Sequence, residues 1–320
     1  MQFTNRSENL LIDCDPGVDD AIALLLAFGS PELNLLGITT VGGNVPVQQT
    51  QTNARQICTL AKVWDVPVAA GCGRPMVLAQ GVTAEYIHGE TGLGRITFLP
   101  PQIEVHPQHG VDFLIQTLME STELITLATL GPLTNLAIAL VKQPEIRSKI
   151  KSLVIMGGAT TFGNVTPSAE FNFYCDPHAA KVVFESGLPI VMIGLDVTHQ
   201  AIATRERLTA IRSIGGPIGI IVAQLLHDYS QHDMQQYGFA GAPLHDPCVI
   251  AYLIDPTLFE LRSCFVEIDI TEGTGRGRSI VDWYGISGKP VNAEVATSID
   301  SDRFYQLLCD RLSVIQNRLR

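Results

Sequence analysis

Short apolar runs alternate with longer amphipathic segments through the first two thirds of the chain. The apolar runs are rich in Val, Ile and Leu, which is typical of buried strands, and the segments between them have helical spacing. The predicted strands are NLLIDC, LNLLGITTV, VPVAAG, LITLATL, SLVIMGG and PIVMIGLDV. The predicted helices are DDAIALLLAF, QQTQTNARQICTLAKVW, VDFLIQTLMES, LTNLAIALVK and DPHAAKVVFES. Because such strands separated by helices indicate a parallel sheet covered on both faces, we expect a three-layer α/β fold.

The pattern changes in the last third of the chain. A long helical segment, RERLTAIRSIGGPIGIIVAQLLHDYSQHDM, is interrupted at Gly215, Gly216 and Pro217, and DPCVIAYLIDP predicts one more short helix. The segments CFVEIDITE, GRSIVDWYG and NAEVATSID alternate as strands of a smaller antiparallel portion, and DRFYQLLCDRL predicts a closing helix. No Ser/Gly-rich linker or repeat divides the sequence, so we expect one domain over residues 1–320.

Composition narrows the possible partners and the compartment. The formal charge is −11, from 21 Lys and Arg against 32 Asp and Glu, which disfavours nucleic acid and anionic membranes as partners. The longest apolar stretches fall short of the roughly 18 residues of a membrane span, and the first ten residues lack the pattern of a signal peptide. Seven cysteines are scattered singly, which favours a reducing compartment. We therefore expect a cytoplasmic protein with a small-molecule partner.

The segment IDCDPGVDDA places four aspartates within eight residues, between a predicted strand and a predicted helix. Alternation along the strand directs Asp13 and Asp15 to one side, and Asp19 and Asp20 open the helix. Ligands of open parallel sheets bind beyond the carboxyl ends of the strands, so this cluster occupies a suitable position for a site.

A purely structural explanation also exists for each aspartate, because Asp-Pro-Gly forms turns and Asp caps helices. Four together are harder to explain in this way, since neighbouring carboxylates raise one another's pKa unless a cation compensates. No Lys or Arg is close in sequence. A hard divalent cation would compensate, and Ca²⁺ accepts an irregular shell of oxygen ligands more readily than Mg²⁺.

The segment DCDPGVDDA resembles the amino-terminal signature of the calcium-dependent ribonucleoside hydrolases, the inosine-uridine preferring type. The resemblance continues through TTVGGN, IHGETGLG, ATLGPLTNLA, VIMGGA, GNVTPSAEFNFYCDPHAA and LHDPCVIAYLIDP. It implies the fold of that family, a homodimer or homotetramer, and hydrolysis of the N-glycosidic bond of ribonucleosides to ribose and a free purine or pyrimidine base.

The resemblance implies a Ca²⁺ site formed by Asp15, Asp20, Asp246 and the backbone carbonyl of Leu130. The family often has Thr at the last position, but a carbonyl ligand does not depend on its side chain. Asp13 is expected to support this shell. Asp15 is also the candidate base that activates a water on the metal, because the metal lowers the pKa of that water.

The resemblance also assigns residues to the ribose. Asp19 is expected to accept a hydrogen bond from the 2′-hydroxyl, and Asn44, Asn164, Glu170 and Asn172 are expected to bind the other hydroxyls. Taken singly, each asparagine would be an ordinary turn residue. An extended EFN segment would place Glu170 and Asn172 on one side.

Glu170 bears on the choice of substrate. The resemblance places it at the 5′-hydroxyl, where a carboxylate would repel a 5′-phosphate, so nucleosides are expected rather than nucleotides. Because the 2′- and 3′-hydroxyls would complete contacts with the metal and carboxylates, deoxynucleosides should be poor substrates.

His88 and His245 resemble the histidines of the family that face the base. A departing base is a poor anion, so protonation by a histidine with a pKa near neutrality would help, and His245 is the better candidate acid. Tyr237 is the expected contact from the segment that closes over the base, with Tyr229 and Asp233 as weaker candidates. Met156 and Phe173 would line the pocket, although apolar residues at strand ends are usually core.

Two other functions are compatible with an α/β fold and an aspartate cluster. An aspartate-nucleophile phosphohydrolase also carries Asp-x-Asp after its first strand, but it needs a hydroxyl residue soon afterwards and a lysine, which DPGVDD lacks. A non-enzymatic nucleoside or sugar binding protein would need neither a water nucleophile nor a leaving-group acid. Turnover separates these possibilities from the hydrolase, which is expected to invert the anomeric carbon without a covalent intermediate.

Overall fold

Eleven strands are present in the described part of the chain. The computed structural model describes the backbone of residues 7–320 and the side chains of these residues except for 231–237. The strands are β1 (Glu8–Cys14), β2 (Leu33–Thr40), β3 (Val68–Ala70), β4 (Ile125–Thr129), β5 (Ile150–Met156), β6 (Ile190–Ile193), β7 (Ile202–Ala203), β8 (Ala242–Pro243), β9 (Phe259–Ile268), β10 (Ser279–Asp282) and β11 (Ala293–Ile299).

Twelve α-helices connect or flank these strands in the same residues. They are α1 (Val18–Phe28), α2 (Val47–Ala61), α3 (Glu85–His88), α4 (Gly110–Glu120), α5 (Thr134–Lys142), α6 (Phe171–Cys175), α7 (Pro177–Phe184), α8 (Leu195–Thr198), α9 (Arg205–Ser213), α10 (Gly216–Tyr237), α11 (Asp246–Ile254) and α12 (Ser301–Leu319). Two short 3₁₀ helices span Pro144–Lys149 and Pro256–Leu258.

Nine strands form one sheet in the order β10-β9-β11-β6-β5-β4-β1-β2-β3. All pairs from β11–β6 through β2–β3 are parallel, and the two antiparallel pairs of this sheet join β9 to β10 and to β11. The predicted mostly parallel sheet with a smaller antiparallel portion near the carboxyl end is therefore confirmed. A separate two-stranded ribbon joins β7 and β8.

Helices cover both faces of the sheet, because successive side chains of each buried strand point to opposite sides. Leu10 and Ile12 of β1 pack into one apolar cluster with α1, α10, α11 and α12. Leu11, between them, packs into a second cluster with α4, α5 and α7. Each cluster fills the interface between the sheet and the helices on one of its faces, as the predicted three-layer fold requires.

The order of the strands creates a crevice beside β1. The chain passes from β1 to β2 and β3 on one side, and then returns to place β4, β5 and β6 on the other. At such a reversal, neighbouring connections leave in opposite directions and open a gap at the carboxyl ends of the strands. The gap lies between the loop after β1, which carries the aspartates, and the loop after β4, which carries Leu130.

Two local predictions are wrong. The segment PIVMIGLDV is not strand throughout: β6 ends at Ile193 and Leu195–Thr198 is a helical turn. The segment EFN is not extended either, because Glu170 caps the helical turn α6, accepting hydrogen bonds from the amides of Asn172 and Phe173 at 2.9 and 3.2 Å. In both places a side chain or glycine at the start of the turn outweighs the strand propensity of the apolar residues.

No helix in the described residues is both long and apolar enough to cross a membrane. All seven cysteines are free thiols, as their scattered spacing predicted.

The cluster around α1 is expected to dominate stability. Leu24→Ala removes a fully buried side chain from this cluster and should lower the free energy of unfolding by about 2–5 kcal/mol. Leu99→Ala is the control, because Leu99 is 72% exposed and its loss should cost less than about 0.5 kcal/mol. Urea unfolding of both variants would measure the difference, and equal losses would contradict the assignment of Leu24 to the core.

Candidate active site

The candidate site is a cavity at the carboxyl ends of the parallel strands, next to the crevice between β1 and β4. Its wall comes from the starts of α1 and α11, from the loops after β2, β4 and β5, and from α3, α6 and α10. The residues that line it are Asp19, Asn44, Ala84, Tyr86, Ile87, His88, Leu130, Met156, Asn164, Val165, Glu170, Phe171, Asn172, Tyr229, His245 and Asp246. Asp15 and Asp20 lie deeper, fully or almost fully buried.

Asp20 joins the turn after β1 to the start of α1. Its Oδ1 accepts a hydrogen bond from the amide of Asp15 at 3.1 Å, and its Oδ2 accepts from the amide of Gly17 at 2.9 Å. Its Oδ2 also accepts from Nδ2 of Asn44 at 3.1 Å. Free amides at a helix start stabilise a carboxylate, so the Asp-Pro-Gly turn holds Asp20 in one orientation.

Asp15 is held on one side only. Its Oδ2 accepts a hydrogen bond from the amide of Asn44 at 2.7 Å, whereas its buried Oδ1 has no hydrogen-bond partner among the described residues. An orphaned buried carboxylate oxygen is costly unless a cation or another donor satisfies it. A cation or a further donor beside Oδ1 would therefore stabilise this arrangement.

Two glycines allow this carboxylate to sit where it does. A Cβ added to Gly43 would lie 2.1 Å from Oδ2 of Asp15, and one added to Gly131 would lie 2.4 Å from Oδ1. No side chain can approach that closely, so the backbone of the loops after β2 and β4 packs directly against both oxygens of Asp15. The sequence analysis did not identify either glycine as a functional position.

Asp13 supports the site from within the sheet. Its Oδ1 accepts hydrogen bonds from Oγ1 of Thr39 at 2.5 Å and from Nδ2 of Asn135 at 2.7 Å. Asn135 also donates to the carbonyl of Thr40 at 3.0 Å, which ties β1 to β2. Burial raises the pKa of Asp13 to about 6, while these hydrogen bonds act in the opposite direction.

Asp19, Asp20 and Asp246 each present a carboxylate oxygen within 4.8 Å of the others. Burial raises the pKa of Asp19 to about 8, with the charge of Asp20 as a further cause. Burial, followed by the charges of Asp19, Asp20 and Asp15, raises the pKa of Asp246 well above its usual value. Burial and then the charge of Asp20 do the same for Asp15.

No ion pair in the described part of the chain neutralises these carboxylates, since the pairs found there join other residues. A set of converging, buried, unneutralised oxygen ligands with one orphaned oxygen fits a hard divalent cation. The three carboxylate oxygens that lie within 4.8 Å of one another belong to Asp19, Asp20 and Asp246, and not to Asp15. Asp15 would contact a bound ion through its Oδ1, which has no hydrogen-bond partner among the described residues.

Leu130, whose carbonyl is the predicted backbone ligand, lines the same cavity. This carbonyl accepts a hydrogen bond from Nδ2 of Asn172 at 2.7 Å, and the same amide group contacts the carbonyl oxygen and sulfur of Met156 at 3.2 and 3.4 Å. A carbonyl oxygen has two lone pairs, so the contact with Asn172 leaves one for a cation.

Both carboxylate oxygens of Glu170 accept hydrogen bonds from backbone amides around α6. Besides capping this helix, its Oε2 accepts from the amide of Gly158 at 2.9 Å. Burial raises the pKa of Glu170 to about 7. Asn164 reinforces the same turn, because its Oδ1 accepts from the amide of Phe171 at 2.9 Å.

His88 differs from its expected role as an acid. Its Nδ1 accepts a hydrogen bond from the amide of Val18 at 3.1 Å, at the start of α1, so the proton of the neutral ring is on Nε2. Burial lowers the pKa of His88 to about 3, whereas the sequence predicted a histidine near neutrality. The ring stacks on Tyr229, with 5.2 Å between ring centroids.

His245 precedes Asp246 at the start of α11. Its Nδ1 lies 2.7 Å from Oγ1 of Thr198, and burial, followed by the charges of His199 and His88, lowers its pKa well below the usual value. Among the weaker candidates, Tyr229 is buried and lines the cavity. The predicted contacts Tyr237 and Asp233 lie outside the residues whose side chains are described.

The predicted site residues with described side chains line the cavity, except for Asp13, Asp15, Asp20 and Phe173, which are buried. Met156 lines it, whereas Phe173 is fully buried in the core beside Gly157. Some residues were not predicted from the sequence: Asn135, Thr39 and Thr198, which support aspartates or a histidine, and Tyr86, Ile87 and Phe171 in the cavity wall. The motifs ATLGPLTNLA and IHGETGLG contain or adjoin several of these positions.

Comparison with known proteins places this geometry in a family. The family model described as inosine-uridine preferring nucleoside hydrolase matches residues 10–306. A pyrimidine-specific ribonucleoside hydrolase, RihA, of Shewanella sp. (strain MR-7) is 44% identical over 309 residues, which cover 96% of this chain and 97% of the relative. RihB of Escherichia coli O17:K52:H18 (strain UMN026 / ExPEC), also named pyrimidine-specific, is 42% identical over 303 residues, covering 95% and 96%.

Solved structures agree with these sequence matches. The purine-preferring ribonucleoside hydrolase from Gardnerella vaginalis aligns with a TM-score of 0.90 at 34% identity, covering 96% of this chain and 99% of that one. A plant nucleoside hydrolase, PpNRh1, aligns with a TM-score of 0.88 at 31% identity and the same coverage. From the family model, these relatives and the acidic cavity, we conclude that the chain belongs to the inosine-uridine preferring nucleoside hydrolase family and is a metal-dependent hydrolase of ribonucleosides.

Proposed function

We propose that the chain hydrolyses pyrimidine ribonucleosides in preference to purine ribonucleosides, with Ca²⁺ as its metal. The observation that carries the metal site is the orphaned Oδ1 of Asp15 beside the converging carboxylates of Asp19, Asp20 and Asp246. The pyrimidine preference is supported by the relatives named pyrimidine-specific, at 42–44% identity, against 34% for the purine-preferring structure.

Asp15, Asp20, Asp246 and the carbonyl of Leu130 would hold the ion. All four offer hard oxygen ligands, and an irregular set of carboxylates and a carbonyl suits Ca²⁺ better than the strict octahedron of Mg²⁺. When bound, the ion keeps the neighbouring carboxylates ionised and lowers the pKa of a water molecule, so that the water is a nucleophile near neutral pH.

Asp15 is the proposed general base. Its Oδ2 is fixed by the amide of Asn44, whereas its Oδ1 has two lone pairs, one for the ion and one that can accept a proton from the water. The water oxygen bonds to C1′ from the face opposite the base while the C1′–N bond breaks. The electron pair of that bond passes to the base, and the configuration at C1′ inverts.

The polar residues that line the cavity are proposed to bind the ribose. Asp19 accepts from the 2′-hydroxyl, and Asn44, Asn164, Asn172 and Glu170 bind the other hydroxyls, with Met156 beneath the sugar. Each of these residues lines the cavity. Because Asn44, Asn164 and Asn172 are themselves fixed by backbone hydrogen bonds, they would hold the sugar in one orientation with little reorganisation.

His88 and His245 are the proposed contacts of the departing base. With its Nδ1 occupied by the amide of Val18, His88 would act as a hydrogen-bond donor through Nε2 and not as a proton source. His245 would stabilise the negative charge that develops on the departing nucleobase. The nucleobase then takes up one proton. The two hydrogens of the water thus end on the ribose and on the base. Tyr237 stays a proposed contact of the base.

We further propose that the chain is one domain that works as a homodimer or homotetramer in the cytoplasm. The free thiols support a reducing compartment. The family resemblance supports the assembly and the single domain.

The substrate proposal predicts a ranking. With Ca²⁺ present, uridine and cytidine should be hydrolysed with a higher kcat/KM than inosine, adenosine and guanosine, as measured by release of reducing sugar. Uridine 5′-phosphate and deoxyuridine should be poor substrates. A chelator should abolish hydrolysis, and excess Ca²⁺ should restore it. Turnover that a chelator leaves intact would contradict the metal assignment, and faster hydrolysis of inosine than of uridine would contradict the preference.

The metal site predicts a contrast between two buried aspartates. Asp246→Asn should weaken Ca²⁺ binding by more than about 100-fold, because changes outside the ligand shell already cost 10–100-fold. Asp176→Asn is the matched control, since Asp176 is equally buried but caps α7 and contacts Met76 and Thr134. Calorimetric titration with Ca²⁺ would compare them. Equal loss of affinity would show that burial, and not ligation, explains the effect.

The close packing around Asp15 predicts an effect of a single methyl group. Gly131→Ala should lower kcat by about 10²-fold or more, because the added Cβ displaces the proposed base, and misplacement by about 1 Å can have that effect. Gly81→Ala is the control, because its Cβ would meet only Pro75, at an ordinary 3.5 Å. Kinetics with uridine would test this, and a fully active Gly131→Ala protein would exclude a positional role for Oδ1 of Asp15.

A further inference from the structure

Two consecutive residues contact His245: Thr198, the last residue of the turn α8, and His199, which follows it. The hydroxyl of Thr198 lies 2.7 Å from Nδ1 of His245. The ring of His199 lies against the ring of His245, with 5.6 Å between centroids and a tilt of 56°. Neither Thr198 nor His199 is part of the cavity wall, whereas His245 is. The turn therefore contacts the side of the imidazole that faces away from the substrate.

The position of Thr198 follows from the end of β6. The strand stops at Ile193, Gly194 follows in an extended conformation, and the amide of Thr198 donates to the carbonyl of Gly194 at 3.1 Å. Asp196 in the same turn accepts from the amide of Thr160 and the hydroxyl of Thr161, each at 2.6 Å. These bonds fix the turn, so the Thr198 side chain has a defined direction.

The hydrogen bond between Thr198 and His245 can be oriented in two ways. If Nδ1 of the ring donated, the buried hydroxyl proton of Thr198 would have no acceptor among the described residues, because the only contact of its Oγ1 there is His245. If the hydroxyl donates to Nδ1, that proton is satisfied. A buried donor without an acceptor is unfavourable, so the second orientation is preferred in the neutral ring.

The orientation of this bond determines what the substrate meets. A neutral imidazole has one N–H, and a hydrogen bond accepted by Nδ1 places it on Nε2. Since Nδ1 faces Thr198, Nε2 is the nitrogen left for the cavity side. We propose that Thr198 is a positioning residue that fixes His245 as the Nε2–H tautomer and thereby presents a hydrogen-bond donor to the departing base.

This role rests on the proposed hydrolysis of ribonucleosides and extends it to a residue outside the cavity. A hydrogen bond to the base matters in proportion to the negative charge that the base carries as the C1′–N bond breaks. A leaving group that is already a stable anion needs no such donor. The contribution of Thr198 should therefore depend on the leaving group and not on the ribose.

The test compares Thr198→Val with Thr198→Ser on two substrates in the presence of Ca²⁺. Valine has the shape of threonine without the hydroxyl, and serine keeps the hydroxyl. With uridine, Thr198→Val should lower kcat by about 10–100-fold, a part of the 10²–10⁴ that proton donors usually contribute, with little change in KM. With 4-nitrophenyl β-D-ribofuranoside, whose leaving group is a stable phenolate, it should retain wild-type kcat. Thr198→Ser should remain close to wild type on both.

Several results would overturn the proposal. One is an equal loss of kcat by Thr198→Val on both substrates, and another is an unchanged kcat of this variant with uridine. The third is a Thr198→Ser protein whose kcat is as low as that of Thr198→Val. Thr59→Val controls for loss of a buried hydroxyl, because Thr59 bonds to the carbonyl of Arg55 and the amide of Gln102, far along α2, and should leave both activities unchanged.

A second measurement does not depend on the folding of the Thr198 variants. Long-range ¹H–¹⁵N NMR spectra distinguish the two imidazole tautomers, and comparison with His245→Gln identifies the signals of His245. The wild-type ring should be the Nε2–H tautomer, and an Nδ1–H ring would overturn the proposal. A wild-type protein that hydrolyses neither substrate with Ca²⁺ would contradict the proposed function itself, which is a different outcome from either result for Thr198.

Discussion

The repulsion among buried carboxylates at the end of β1 is the constraint on which the site depends. Asp15, Asp19, Asp20 and Asp246 are buried together, and burial with mutual charge raises the pKa of Asp15, Asp19 and Asp246. Without compensation this arrangement would be unfavourable at neutral pH, because each ionised group raises the cost of ionising the next. A bound cation would offset this unfavourable free energy, because it attracts all four carboxylates.

Backbone groups keep these carboxylates in place. The amides of Asp15, Gly17 and Asn44 donate to carboxylate oxygens, and the backbone at Gly43 and Gly131 packs against Asp15. All of these groups come from loops that meet only because the strand order reverses at β1. Sheet topology and site electrostatics are therefore linked: β1 with β2 and β4 on its two sides brings both glycine-containing loops to one carboxylate.

Much of the fold could be predicted from the sequence, because the hydrophobic period is strong in β1, β2 and β5 and in α1 and α2. The helical turn at Leu195–Thr198 could not, since its residues are apolar and follow a strand directly, and Gly194 alone marks the change. The turn α6 is similar, because a glutamate cap at Glu170 offers little signal in sequence. Short turns depend on one hydrogen bond each, and periodicity does not detect them.

Charged site residues within a motif could be predicted from the sequence. Residues that act by supporting another residue mostly could not. Asp15, Asp20 and Asp246 were expected from DCDPGVDD and LHDP; Asp246 lines the cavity, and Asp15 and Asp20 are buried. Asn135 and Thr198 are ordinary polar residues in sequence, and only the tertiary contacts with Asp13 and His245 indicate a function for them. The state of His88 was also hidden, because its partner is a backbone amide 70 positions away.

A crystal structure of the protein with Ca²⁺ and ribose would test the central claim most directly. The account predicts one ion in contact with Asp15, Asp20, Asp246 and the carbonyl of Leu130, with Oδ1 of Asp15 turned toward it and the hydrogen bond from Asn44 to Oδ2 intact. An ion held by other residues would contradict it. So would ribose bound in the cavity with no ion beside these carboxylates.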